Sequence, residues 1–346
     1  MKAAEAKKKL SEITKAVIRE ELDFYVLKNA VTELKHLLET LSGINMEAQI
    51  NSENIALPTG KAIGPKWAGM CLEDLLRTYK FMKGIHAAIK AVHSNNPKKP
   101  ATILYTGTGP YATLILPFLS LYKPSQLQLI LLEVNPISIK SLMNIIKGFD
   151  ASKYVKGIYH CDASNFSVPP KLDADILLVE CMQRALFHEP QVAITYNLLS
   201  QMKKETILIP ENISLYLTLI DQKKQTKYQT ATEQVVPMDS YENSEAVFTL
   251  NKNEVLKRRE EFKKEAFQFP EIKTTFCKEK IQNNDQIAIT TEITIFENIT
   301  LNINESGLTI PLLLADLEQD PTIIGAKTQY TLGADPELAT RLMRSL

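Results

Sequence analysis

The sequence predicts an α/β protein: an open parallel sheet covered by helices, preceded by N-terminal helices and followed by a β-rich C-terminal domain. Three observations lead there. Between residue 101 and about 220, short apolar runs alternate with helical stretches, the pattern of a parallel sheet buried on both faces. Residues 3–42 contain no Pro or Gly, and their apolar positions recur at alternating steps of three and four. Beyond residue 221 the chain turns to short, β-branched segments, as a separate β-rich domain would.

Composition narrows the class. A chain of 346 residues with 45% hydrophobic and 23% charged residues can bury a sizeable core and is globular rather than disordered. Lys+Arg and Asp+Glu are equal at 40 each, which argues against nucleic acid or an anionic membrane surface as partner. Cys71, Cys161, Cys181 and Cys277 form no C-x-x-C pair, so no metal site is expected and the thiols suit a reducing compartment. Lys7, Lys8 and Lys9 lead into a charged, amphipathic stretch, unlike a secretory signal. The run Leu127–Leu132 is far too short to span a bilayer. A cytoplasmic location is expected.

The elements follow in order. Leu10, Ile13, Val17, Phe24, Leu27, Val31, Leu34, Leu38 and Leu41 make an a/d seam with only Glu20 out of place. That seam predicts an amphipathic helix or helical pair, docked on its own protein or forming a coiled coil. Residues 43–66 hold three Gly and two Pro and read as a connecting loop. A second helix is expected from Met70 to His93, broken by NNPKKP at 95–100. ATILYT is the first strand, with a helix expected over 111–122, and LQLILLEV the second, with a helix over Ile137–Lys147. GIYHCD and ADILLVE are the third and fourth, followed by a helix over Ala193–Met202, then TILIP and ISLYLTLI. Within the β-rich domain a single helix is expected, Glu254–Glu265.

The chemistry-bearing residues gather at strand ends. Tyr105-Thr106-Gly107-Thr108-Gly109-Pro110 is a strand-to-helix turn whose glycines let backbone approach a ligand. Glu133 ends the second strand, where a carboxylate can accept from both hydroxyls of a ribose. Asp162, followed by Ala163, ends the third; its carboxylate can accept from an adenine amino group. Glu180 ends the fourth, at the edge where ligands of open α/β sheets bind. Together they predict a nucleoside site. A dinucleotide is the competing ligand, with Ala112 standing where its fingerprint has a third glycine. No P-loop lysine follows the turn.

With these residues in place, the stretch from about Asp74 to Ile220 resembles the class I S-adenosylmethionine-dependent methyltransferases, and among them most the protein arginine methyltransferases. Asp74-Leu75-Leu76-Arg77-Thr78 is similar to the family's D-x-x-R-T element. The resemblance implies that Arg77 holds the methionine carboxylate of S-adenosyl-L-methionine. Ile103–Pro110 resembles the first motif and Leu131-Leu132-Glu133 the ribose-binding strand end. The loop from Glu180 to Glu189 resembles the two-glutamate loop that grips a guanidinium, and Leu208–Tyr216 the passage into a β-barrel. The implied organisation is an N-terminal helical segment (1–45) and a linker with a cofactor-lid helix (46–100). A Rossmann-like domain (101–212) and a β-rich, barrel-like domain (213–346) follow, and the family's habit implies a homodimer. Three features depart from the pattern: Tyr105 replaces an acid, no His follows His188, so the THW loop is absent, and the acid loop contains Arg184 and His188.

The acceptor therefore stays open between a peptide, protein or peptide-like molecule and a small molecule methylated on O or N. A silent cofactor-binding protein is the third reading. For a guanidine or amine, Glu180 and Glu189 would orient the acceptor. For a carboxylate or phenol, Arg184 would bind the anion and His188 take a proton. Alternatively Arg184 pairs internally with Glu180 or Glu189, and His188 has no catalytic task.

Overall fold

In the computed structural model, residues 1–231, 238–264 and 267–345 are described. The N-terminal seam is carried by two helices, α1 (Ala3–Val17) and α2 (Phe24–Ser42). Of the helix or helical pair expected over 3–42, the chain forms the pair, and Asp23 caps α2 by accepting from the Val26 N–H at 3.0 Å. Leu10, Ile13, Val17, Leu27, Val31, Leu34 and Leu38 are buried on the chain itself. Of the two docking modes, the seam takes the internal one.

The expected linker contains structure. A hairpin, β1 (Ile55–Leu57) and β2 (Gly60–Ala62), precedes a short helix α3 (Pro65–Met70) that starts on Pro65, where a missing N–H costs nothing. The helix expected from Met70 begins later, as α4 (Leu75–Asn95), because the Asp74 carboxylate accepts from the Arg77 N–H at 3.2 Å and sets the first turn.

Five strands form the central sheet: β3 (Ala101–Thr106), β4 (Leu127–Glu133), β5 (Val155–His160), β6 (Ile176–Val179) and β7 (Ile207–Ile209). They are parallel and lie in the order β5-β4-β3-β6-β7. The chain winds one way from β3 and then returns to β3's other side. Strand order so reversed opens a crevice at the carboxyl ends. Helices α5 (Pro136–Gly148) and α6 (Gln191–Leu199) follow β4 and β6. The helix expected over 111–122 is absent. Gly107, Gly109 and Ala112 all have positive φ, and Pro117 lacks an N–H, so the chain makes only turns and a 3₁₀ segment at Leu116–Ser120. Helix α1 covers that segment, and the Thr14 hydroxyl donates to Pro117 O at 3.0 Å.

The β-rich domain comprises β8 (Asn212–Ile220), α7 (Gln222–Ala231), β9 (Tyr241–Asn251), α8 (Lys252–Phe262), β10 (Ile272–Thr275), α9 (Lys278–Gln282), β11 (Gln286–Phe296), β12 (Ile299–Leu301), β13 (Leu312–Asp316), β14 (Ile323–Thr331) and β15 (Glu337–Arg344). One antiparallel sheet runs β12-β11-β8-β9, with β13 also on β11; the other runs β10-β14-β15. Phe248 stacks on Tyr330 at 4.4 Å between centroids and joins the two sheets. The helix expected at Glu254–Glu265 is α8, and Glu265 lies outside the described residues. No helix among the described residues is long and apolar enough to cross a membrane.

Helix α4 couples the two sheet systems. Asp74 accepts from the Ser306 hydroxyl at 2.6 Å and the Gly307 N–H at 2.9 Å, and the Lys80 ammonium meets Glu305 at 2.5 Å. Further along, a Cβ on Gly84 would lie 2.4 Å from Ile295 Cγ2. The helix can lie against β11 only because Gly84 has no side chain. Gly84→Val should therefore destabilise the protein by about 1–3 kcal/mol through overpacking, although valine is the better helix former. Urea unfolding measures it, and an unchanged midpoint would remove Gly84 from this junction.

Candidate functional site

A cavity of about 600 Å³ opens at the carboxyl ends of β3, β4, β5 and β6, within the usual range of small-molecule sites. The end of β3 and the turn after it bring Tyr105, Thr106, Gly107, Thr108 and Gly109 to its wall, β4 brings Glu133, the segment after β5 brings Asp162 and Ala163, and the residue after β6, Glu180, joins them. Arg77 enters from α4, Trp67 from α3, Lys61 from β2, and Gly307 from the β-rich domain. Glu189 and Arg184 complete it from the loop after β6. One expected member is missing. His188 does not line the cavity, because its Nδ1 is paired with the Asp335 carboxylate in the turn between β14 and β15.

The turn differs from its expected use. Gly107 has φ +72°, and a Cβ there would sit 2.2 Å from Cys181 Sγ and 2.9 Å from Glu180 O. Its missing side chain makes room for the end of β6, not for a ligand. Gly109, at φ +57°, likewise faces α3, where a Cβ on it would lie 3.2 Å from Ala68 Cβ. Glu133 is buried and locks the same turn. One oxygen accepts from the Gly109 N–H at 2.8 Å and the Thr108 hydroxyl at 3.3 Å. The other accepts from the Val134 and Asn135 N–H groups, both at 2.9 Å. A carboxylate has about four lone-pair sites, so these bonds saturate it. Burial raises the Glu133 pKa, against the pull of those donors. Asp162 is less committed, with one oxygen accepting from the Ser164 N–H at 2.8 Å.

At the β6 side, the Arg77 guanidinium is paired with the Glu180 carboxylate, and both side chains are below 10% exposed. Arg77 also donates to Cys71 O at 3.0 Å. Burial opposes the charge on Arg77, but Glu180 and Cys71 together more than offset it and the guanidinium is held protonated. Two buried atoms of this pair, Arg77 Nε and Glu180 Oε1, have no hydrogen-bond partner among the described residues. Leaving such atoms unpaired costs on the order of 1–3 kcal/mol each, and here both belong to cavity-lining residues. Arg184 pairs with neither glutamate, since Arg77 takes Glu180 and no ion pair joins Arg184 to a described residue. Tyr105, where the motif has an acid, is buried, and burial together with Glu180 keeps its phenol well above the ordinary pKa.

The loop that carries Glu189 is backbone-strained. Ala185, Leu186 and His188 adopt φ of +54°, +56° and +67°, a region that side chains other than glycine enter at a cost. Bonds from outside hold it there. The Ala185 N–H donates to Thr291 Oγ1 at 3.0 Å, the Tyr330 hydroxyl to Leu186 O at 2.7 Å, and the His188 N–H to Pro336 O at 2.8 Å. From the hairpin, the Lys61 N–H donates to His188 O at 2.8 Å. Glu189 is thereby fixed in the wall, 6% exposed. Burial and the Glu180 charge push its carboxyl up to about 7, against the Gln183 amide, Arg77 and Lys61. No motif marks Trp67, Lys61, Thr291 or Tyr330. Trp67 carries a signal, as the one tryptophan two residues after Pro65; the others depend on contacts far apart in the chain.

The fold is thus a switched parallel sheet joined to an antiparallel β domain, with a ligand-sized cavity at the switch. No protein-family model matches the chain, and no curated protein matches it. Among solved structures it is similar to the Trypanosoma brucei PRMT1 enzyme-prozyme heterotetrameric complex with AdoHcy, at 11% identity over 80% of this chain and 92% of that chain, with a TM-score of 0.46. A likeness of that size bears on neither fold nor activity; the topology and the cavity do.

Glu189 makes a pH signature. Its carboxyl keeps a proton up to about pH 7 in the folded state, whereas the ordinary value is 4.5. The folded state then binds more protons than the unfolded one, so stability falls as pH rises through that window, by about 3 kcal/mol. Glu189→Gln should flatten this fall and be the more stable protein at pH 8. Urea midpoints from pH 4.5 to 8 measure it, and parallel curves for both proteins contradict the assignment.

Proposed function

We propose that the protein is an S-adenosylmethionine-dependent methyltransferase acting on a peptide, protein or peptide-like acceptor. The observation that carries this reading is an unsatisfied pair of atoms on two residues that line the cavity: a buried donor, Arg77 Nε, and a buried acceptor, Glu180 Oε1. A zwitterionic α-amino acid offers the complement, a carboxylate for the first and an ammonium for the second. Asp162 stands at the end of β5, three strands away in the order β5-β4-β3-β6, about 14 Å at the usual strand spacing. The cavity thus suits a ligand with an amino acid at one end and a nucleoside at the other. Bound there, S-adenosylmethionine supplies a methyl group on a sulfonium, open to in-line attack.

The chain's own residues do the rest. Arg77 and Glu180 hold the amino-acid end, Asp162 accepts from the base, and Glu133 stiffens the turn along which the sugar lies. Because all lone pairs of Glu133 are taken by Gly109, Thr108, Val134 and Asn135, a ribose hydroxyl must share or displace one of those donors. Glu180 and Glu189 face the acceptor. With its carboxyl near pH 7, Glu189 is suited to take the proton that an N–H or O–H nucleophile loses on methylation. The buried wall excludes water from the methyl group and aligns the nucleophile. His188 has no role in this scheme.

Calorimetric titration with S-adenosylhomocysteine tests the reading. Wild-type protein should bind it, and Arg77→Met should weaken binding at least about tenfold, the loss of a charge-assisted hydrogen bond. Removing one partner of a buried ion pair can itself unfold a protein, so Arg77→Met/Glu180→Met, which removes both charges, serves as the folded comparison. Wild-type protein that ignores the ligand sinks the proposal.

A further inference from the structure

Two cations in the cavity wall form no ion pair among the described residues. Lys61 and Arg184 both line the cavity, yet neither makes an ion pair with a described residue. Their neighbours differ: Arg77 is matched by Glu180, and the Lys66 ammonium by Glu47 at 2.6 Å. The two come from unrelated elements, a hairpin and the loop after β6, and line one cavity. The Lys61 N–H is bonded to His188 O, next to Glu189, and Arg184 adjoins Gln183, whose amide reaches the Glu189 carboxyl. Neither cation closes an ion pair onto Glu189 itself. The chain therefore holds two positive charges in the wall of the cavity that contains its proposed acceptor carboxyl; Lys61 acts on Glu189 through space, but neither cation is neutralised by an ion pair with a described residue. Unpaired charge in a partly desolvated wall is costly unless a ligand supplies the counter-charge, and a guanidinium fork is shaped for a carboxylate or phosphate.

We propose that Lys61 and Arg184 form a receptor for an anionic group, carboxylate or phosphate, on the methyl acceptor. Naming the anion's carrier an acceptor rests on the methyltransferase reading; the anion site does not. An acceptor held this way carries its nucleophile at Glu180 and Glu189 and a negative charge at the hairpin side. A free amino acid, a peptide with a terminal or side-chain carboxylate nearby, or a phosphorylated molecule fits. A lone guanidinium does not, since both cations would repel it.

Trp67 is the one tryptophan and lines the same cavity, so its fluorescence reports occupancy. The full chain is titrated with inorganic phosphate and, separately, with succinate, at constant ionic strength. At least one anion should give a saturable change, weakened at least about tenfold in Lys61→Gln and in Arg184→Gln, the loss of one charged contact. Saturation by phosphate alone assigns a phosphorylated acceptor, and saturation by succinate a carboxylate. If neither anion saturates, or both variants bind like wild type, the proposal is overturned. Should the anion response survive in a protein that ignores S-adenosylhomocysteine, the receptor stands and the methyltransferase reading falls.

Discussion

The buried ion pair between Arg77 and Glu180 is the constraint around which the site is arranged. It joins the first turn of α4 to the carboxyl end of β6, and everything that positions α4 positions the cavity. A buried pair of this kind contributes little to stability, because desolvation consumes most of the attraction. Its worth lies in geometry: it keeps two charges at a fixed place in the wall with one donor and one acceptor left over. The same helix is tied to the β-rich domain through Asp74, Lys80 and Gly84. The two sheet systems therefore cannot shift against each other without disturbing the pair.

The β-rich domain has a second task at the loop after β6. Three left-handed residues within a run of four cost on the order of 1–3 kcal/mol each, and such a loop relaxes unless its surroundings dictate its shape. Thr291, Tyr330 and Pro336 supply those restraints from three places in the antiparallel domain. The restraint reaches Glu189, whose buried carboxyl resists ionisation because water is excluded and Glu180 is near. A carboxyl kept near neutrality by its surroundings is what a proton acceptor at physiological pH requires.

Much of this is legible in the chain. The central strands announce themselves as apolar runs, and Glu133, Asp162 and Glu180 end three of them, so strand order alone carries the acids to one edge. The seam leaves one helix or a pair open, because its regular spacing runs on across Asp23, and the cap there decides for the pair. The helix expected after β3 fails because three left-handed residues and a proline compete with its apolar pattern. Gly107 is legible as a special position but not for its reason, since the contact with Cys181 is 74 residues away in the chain. Lys61 carries no motif at all, and Arg184 is legible only as a cation inside the acid loop. Their meaning comes from what lies opposite them, and that is set by the docking of the hairpin onto the acid loop.

The central claim is that the unsatisfied atoms of Arg77 and Glu180 await the amino-acid end of an adenosyl ligand. A crystal structure grown with S-adenosylhomocysteine examines it most directly. The expected result is a ligand carboxylate on Arg77 Nε, an ammonium on Glu180 Oε1 and the adenine beside Asp162. A ligand lying elsewhere, or one that leaves both atoms without a partner, contradicts it.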